Sequence, residues 1–168
     1  LLEPLEFPSD LASKAARYEL VLTRLGGLLD GEDDAVAAMA TVVAELHHAF
    51  EAFHWTGFYR AVSDDLLVIG PYQGGHGCLR IGFDQGICGA AARTRETQLV
   101  PDVHARPEHI ACSSTTISEI VVPILTPQGE VIGVLDVDSD HADAFDDVDA
   151  AALEAICADL GARFWTLA

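Results

Sequence analysis

Four cysteines and one group of acids are the residues of this 168-residue chain whose types and spacing suit chemistry. Cys78 follows Gly74-Gly75-His76-Gly77, a stretch with the backbone freedom of a mobile loop. Cys88 sits in Gly86-Ile87-Cys88-Gly89-Ala90, near the start of a short predicted helix, where a helix N-terminus lowers a thiol pKa. Cys112 lies in His109-Ile110-Ala111-Cys112-Ser113-Ser114, a polar loop ahead of an apolar strand. Cys157 adjoins Ile156 in a helical pattern, the ordinary position of an inert packed thiol. Thiols of the first three kinds suit redox work. Zinc is the rival use, with His104, His109 and Cys112 near one another and His76 near Cys78. The paired short spacings of structural zinc sites, such as C-x₂-C, are missing from the sequence and disfavour it. His47, His48, His54 and His141 read as surface or packing residues.

The acids are brought together by a predicted hairpin. Residues 118–125 and 130–138 are β-rich runs on either side of Thr126-Pro127-Gln128-Gly129. If Gln128-Gly129 is a two-residue loop, Pro127 faces Glu130, Leu125 faces Ile132, Pro123 faces Val134, Val121 faces Asp136 and Glu119 faces Asp138. Side chains alternate across a strand, so Glu119, Asp136 and Asp138 share one face with Val121, Pro123, Leu125, Ile132 and Val134. Single acids at strand ends usually sit in solvent. Three of them on an apolar face should instead share a proton or hold a cation near neutral pH. Magnesium or calcium would fit such an oxygen-rich set, although no Asp-x-Asp-x-Asp-Gly loop is present.

The elements that must position these groups follow from periodicity. Ser9 or Asp10 caps a helix running to about Leu29, with Leu11, Ala15, Tyr18, Leu22, Leu25 and Leu29 at helical spacing. A second helix over 33–53 carries Val36, Met39, Ala40, Val43, Leu46 and Phe50 as its stripe. Short strands are predicted over 56–62, 66–71, 78–81, 98–100, 118–125 and 130–138, with a short helix over 86–94. Asp146 caps a last helix with Val148, Ala152, Ile156, Leu160 and Phe164 on one face. Residues 1–8 read as an arm and 9–168 as a single α+β domain. The formal charge is −18, which argues against nucleic acid and anionic membrane surfaces as partners, and half the residues are apolar, too many for a disordered acidic chain. No long apolar span and no export signal are present, so a cytoplasmic location is expected.

These residues resemble a known family, the stand-alone GAF-domain enzymes called free methionine-R-sulfoxide reductases. The resemblance rests on His54-Trp55-Thr56-Gly57-Phe58-Tyr59, Gly70-Pro71-Tyr72-Gln73-Gly74, Cys78-Leu79-Arg80-Ile81, Gly86-Ile87-Cys88-Gly89, His109-Ile110-Ala111-Cys112, Ser118-Glu119-Ile120-Val121-Val122-Pro123 and Gly133-Val134-Leu135-Asp136-Val137-Asp138. It implies the GAF fold, a six-stranded antiparallel sheet with helices packed on it. It implies reduction of free L-methionine (R)-sulfoxide to methionine, with thioredoxin as reductant and no cofactor or metal. By position, Cys112 matches the nucleophile, Cys78 the thiol that resolves it as a disulfide, and Cys88 a third redox cysteine of less settled role. Trp55 and Tyr59 match the aromatic wall at the substrate's methyl end, and Glu119, Asp136 and Asp138 match its acidic binding set.

The chemistry gives each group a use. A sulfoxide accepts a thiolate at sulfur only when its oxygen is protonated or strongly hydrogen-bonded, and the attacking cysteine becomes a sulfenic acid that a second thiol recycles. Crowded carboxyls supply the proton and also bind the substrate's ammonium. Backbone N–H groups of residues 113–116 are a candidate nest for its carboxylate. Two other readings compete. A non-catalytic GAF sensory module would bind a cyclic nucleotide or other small metabolite; it predicts a fused output domain and leaves the thiols unexplained. An interaction domain would form a homodimer through the terminal helices over 9–29 and 146–167, which is compatible with catalysis.

Overall fold

A computed structural model describes residues 6–8, 11, 13–106 and 115–167. Six strands form one antiparallel sheet: β1 (Trp55–Ser63), β2 (Leu66–Gln73), β3 (Arg80–Gly82), β4 (Gln98–Val100), β5 (Ser118–Leu125) and β6 (Val131–Ser139). Their spatial order is β3-β2-β1-β6-β5-β4, which puts β1, β6 and β5 at the centre. The helices are α1 (Lys14–Leu28), α2 (Ala35–Ala49), α3 (Gly86–Thr94) and α4 (Asp147–Arg163).

The helices divide the sheet into two unlike faces. On one, α2 packs on β1 and β2, α4 packs on β5 and β6, and α1 lies against both helices. Their apolar sides meet Phe58, Ile120, Val122, Ile124, Leu135 and Val137 in the main core. Among the described residues, the other face carries α3 and a smaller cluster built on Trp55, Tyr59, Ile87, Cys88, Val121 and Val134. Strand alternation sends neighbouring residues of β5 and β6 to opposite faces, so the two clusters share the same strands.

Several local expectations are corrected. Helix α1 begins at Lys14, because Ser13 is extended and its hydroxyl accepts the Ala16 N–H; Ser9 and Asp10 lie outside the described residues. The buried stripe of α1 runs through Tyr18, Val21 and Leu25, leaving Ala15 and Leu22 exposed. Val36 and Ala40 of α2 and Val148 of α4 are likewise exposed. Asp149 takes an inward position at the start of α4 instead, bonding back to the Asp146 N–H in a capping box.

The hairpin loop has three residues, not two. The Gly129 N–H bonds to the Thr126 carbonyl at 2.8 Å, and the Thr126 N–H bonds to the Glu130 carbonyl at 2.9 Å. Gly129 has φ +83°, a left-handed conformation that only glycine adopts without strain. That loop alone would shift the register by one residue. A bulge at Ile132 cancels the shift: Leu125 pairs with Val131, whereas Ile124 pairs with Gly133. Ile132 therefore joins the helix-covered core, and Val131 takes the place expected for it on the other face.

Candidate functional site

The restored register sets Glu119 opposite Asp138 and Val121 opposite Asp136, as the sequence led us to expect. On the other side of β6, Trp55 pairs with Asp138, Gly57 with Asp136 and Tyr59 with Val134. Two cross-strand rows result, Trp55–Asp138–Glu119 and Gly57–Asp136–Val121, with Tyr59 on the row that follows. Glu119 and Asp136 are each 6% exposed, and Asp138 is half-buried.

Crowding and burial govern the charge of these acids. Burial, reinforced by Asp136 and Asp138, pushes the Glu119 carboxyl well above its usual range, against a lowering influence from Arg106. Burial raises Asp136 to about 7, opposed by a hydrogen bond from Cys88. Burial and the neighbouring Asp136 also raise Asp138, with Thr116 countering them. The tyrosine beside them responds in the same sense, since burial and the Asp136 charge push the Tyr59 hydroxyl up.

Cys88 reaches this cluster from the first turn of α3. Its Sγ donates to Asp136 Oδ2 at 3.3 Å, and the thiol is 4% exposed. The helix N-terminus was expected to lower its pKa. Burial, then the negative charges of Asp136 and Glu119, push it well above the usual thiol value. One potential ligand atom from each of Cys88, Glu119 and Asp136 lies within 4.8 Å of the others, a spacing that would admit a cation. The thiol hydrogen is already committed to Asp136, so no metal is assigned.

The aromatic wall is a stack of three rings. Trp55 lies 6.0 Å from Tyr59 at 25° and 5.4 Å from Tyr72 at 17° between ring centroids and planes. Its indole N–H bonds to the Gly75 carbonyl at 3.0 Å, tying the glycine-rich loop to β1. Gly57 makes room for the indole: a Cβ there would lie 2.5 Å from both a Trp55 ring carbon and the Tyr72 Cβ. Sequence reasoning missed Gly57 and Tyr72 as site residues. A glycine inside a strand, two positions from a tryptophan, was the available signal.

Of the remaining thiols, Cys78 is half-buried and disulfide-bonded, while Cys88 and Cys157 are free. Cys112, His109, Ser113 and Ser114 lie outside the described residues, and with them half of the expected carboxylate nest. Cys157 is buried against the Val122 carbonyl in the main core, away from the acids.

Comparison with known proteins converges on one group. The profile of the GAF domain matches residues 31–163. The chain is 47% identical over 137 residues to GAF domain-containing protein A of Dictyostelium discoideum, covering 82% of this chain and 85% of that protein. It is 41% identical over 148 residues to the free methionine-R-sulfoxide reductase of Saccharomyces cerevisiae, covering 84% and 82% respectively. The crystal structure of the free methionine-R-sulfoxide reductase of Neisseria meningitidis in complex with its substrate superposes with a TM-score of 0.89 at 43% identity, covering 97% of this chain and 96% of that one. With the sheet order and the sequence agreeing on the same relatives, the chain belongs to the free methionine-R-sulfoxide reductase family of GAF-domain proteins.

Proposed function

We propose that the chain reduces free L-methionine (R)-sulfoxide to L-methionine. The observation that carries this reading is the set of buried acids under an aromatic wall, with pKa values raised enough to keep a carboxylic proton near neutral pH. Glu119, Asp136 and Asp138 divide two tasks: a protonated carboxyl donates to the sulfoxide oxygen, and an ionised one binds the substrate ammonium. Trp55 and Tyr59 hold the methyl group, and a handed wall distinguishes the two epimers at sulfur.

In this reading the Cys112 thiolate attacks the activated sulfur. Methionine leaves, and its oxygen remains on Cys112 as a sulfenic acid. The Cys78 thiol then attacks the Cys112 sulfur, releasing that oxygen as water and closing a disulfide. Thioredoxin, a dithiol protein, reduces the disulfide and is itself oxidised, which places the cycle in a reducing cytoplasm. The net change consumes one sulfoxide and one dithiol and yields methionine, water and the partner's disulfide. Cys88 assists within the site.

An assay coupling NADPH, thioredoxin reductase and thioredoxin tests this directly. Turnover of the free (R)-epimer is expected, without turnover of the (S)-epimer or of the sulfoxide within a peptide. Cys112→Ser should abolish methionine release, whereas Cys78→Ser should release one methionine per enzyme and stall. Wild-type protein that leaves the free (R)-sulfoxide intact would overturn the proposal.

A further inference from the structure

Cys78 is held in a disulfide, and the segment that carries it is unlike the rest of the chain in charge. Residues 66–83 are the longest stretch without Asp or Glu in a sequence of net charge −18. Val68 lies between Arg60 and Arg80 in one row across β1, β2 and β3. Arg80 is exposed, and neither arginine joins an ion pair among the described residues. Leu79, between the disulfide and Arg80, is 71% exposed. β3 is also the outermost strand on its side of the sheet. The Leu79 carbonyl accepts the Ile69 N–H at 3.1 Å, and the Phe83 N–H bonds to the Asp65 carbonyl at 2.9 Å. Bonding to β2 therefore falls on the odd-numbered residues, and alternation turns the main-chain N–H and C=O of Arg80 to the free edge.

An apolar side chain, an unpaired cation and an open strand edge thus stand beside a half-buried disulfide sulfur. Resting on the function proposed above, we infer that Leu79, Arg80 and the outer edge of β3 are the docking surface for the reductant, a dithiol protein with acidic groups around its attacking cysteine. The net charge of the chain repels an acidic partner, and the acid-free stretch lets Arg60 and Arg80 attract one locally. A partner segment laid along β3 meets the main-chain groups of Arg80 and packs on Leu79. Its thiolate attacks Cys78 Sγ, and Cys112 leaves as a thiolate, ready for the next sulfoxide. The partner's second thiol then attacks its own sulfur in the mixed disulfide, passes its proton to the departing Cys78, and the partner carries away the new disulfide.

Thioredoxin is the probe, and dithiothreitol, a small dithiol that needs no docking surface, is the control. Leu79→Ser and Arg80→Glu should each raise the KM for thioredoxin about tenfold, with dithiothreitol-supported turnover and the KM for the sulfoxide within about twofold of wild type. Arg95→Glu makes the same charge change at the C-terminal end of α3 and should leave the thioredoxin KM near wild type. Added salt should raise that KM in the wild type and much less in Arg80→Glu. Oxidised protein mixed with thioredoxin whose second cysteine is serine should give a mixed disulfide that peptide mapping places on Cys78. An unchanged thioredoxin KM in Leu79→Ser and Arg80→Glu, an equal loss in Arg95→Glu, or a mixed disulfide on Cys112 would each overturn the inference. So would a wild type that turns over with dithiothreitol and not with thioredoxin. Should the wild type fail to reduce the sulfoxide with either reductant, the functional reading falls, while the rate of mixed-disulfide trapping in the same variants, which needs no sulfoxide, still decides where the partner docks.

Discussion

The two faces of the sheet each bury acids, and they treat them in opposite ways. On the helix-covered face Asp149 is fully buried and fully served: Lys14 Nζ lies at 2.5 Å, the Tyr18 hydroxyl donates at 2.7 Å and the Asp146 N–H at 2.8 Å. Glu45 on the same side has an ion pair with Arg24 at 3.0 Å, although its Oε2 makes no hydrogen bond among the described residues, so the contrast rests on Asp149. On the α3 face, Asp136 is held by one thiol, and its second oxygen has no hydrogen-bond partner among the described residues. The first arrangement spends its charge on joining α1 to α4. The second leaves electrostatic demand unmet, and a cationic, proton-accepting ligand is what would meet it. A buried acid that completes a fold and one that waits for a substrate are distinguished here by their donors, since both are buried.

Exchanging acids between these roles should separate stability from activity. The largest effect expected is on chemistry: Asp136→Asn should lower kcat/KM about 10³-fold in the coupled assay, as loss of a charged binding and proton-sharing group does. Next comes the fold. Lys14→Met should destabilise by about 3 kcal/mol in urea unfolding at pH 7, because it strips a cation from a buried acid, and kcat/KM below the melting range should stay within about twofold. Asp136→Asn should act oppositely on stability. A carboxyl whose folded pKa is raised to about 7 favours the folded state fully only below its unfolded pKa, and that contribution fades as pH climbs through the folded value. The asparagine variant should therefore gain roughly 4 kcal/mol on wild type between pH 4 and pH 8; equal stability increments at both pH values would contradict the environment assigned to Asp136. The smallest effect concerns the wall: Gly57→Ala should tilt the Trp55 indole and raise KM for the sulfoxide about tenfold, equivalent to roughly 1.4 kcal/mol, with little change in kcat.

Much of the site was legible because a hairpin is local. Turn residues and alternation were enough to align Glu119, Asp136 and Asp138, even though the loop and the bulge were both missed and offset one another. The cap of α1 was misplaced because Ser9, Asp10 and Ser13 are all competent N-caps, and only the Ser13 hydroxyl meeting the Ala16 N–H distinguishes it. Cys88 was read in the wrong electrostatic direction for a different reason. A helix start is visible in sequence, but the acids that surround the thiol arrive from strands about thirty to fifty residues away. The Lys14–Asp149 bond joins residues 135 apart and left no local trace. Tyr72 likewise entered the wall through strand pairing with Gly57, which no single segment reveals.

The bulge at Ile132 carries a consequence for how this hairpin can change. A strand has two phases, and the three-residue loop inverts the phase that the bulge then inverts back. The tip is thereby free to follow turn chemistry while the acids obey the pocket. Neither half is dispensable alone: a chain losing only the extra loop residue, or only the bulged one, would rotate its carboxylates beneath α2 and α4 and turn valine and leucine towards the thiol. Loop length and bulge form one inherited unit, and a change in either is silent only when the other changes with it.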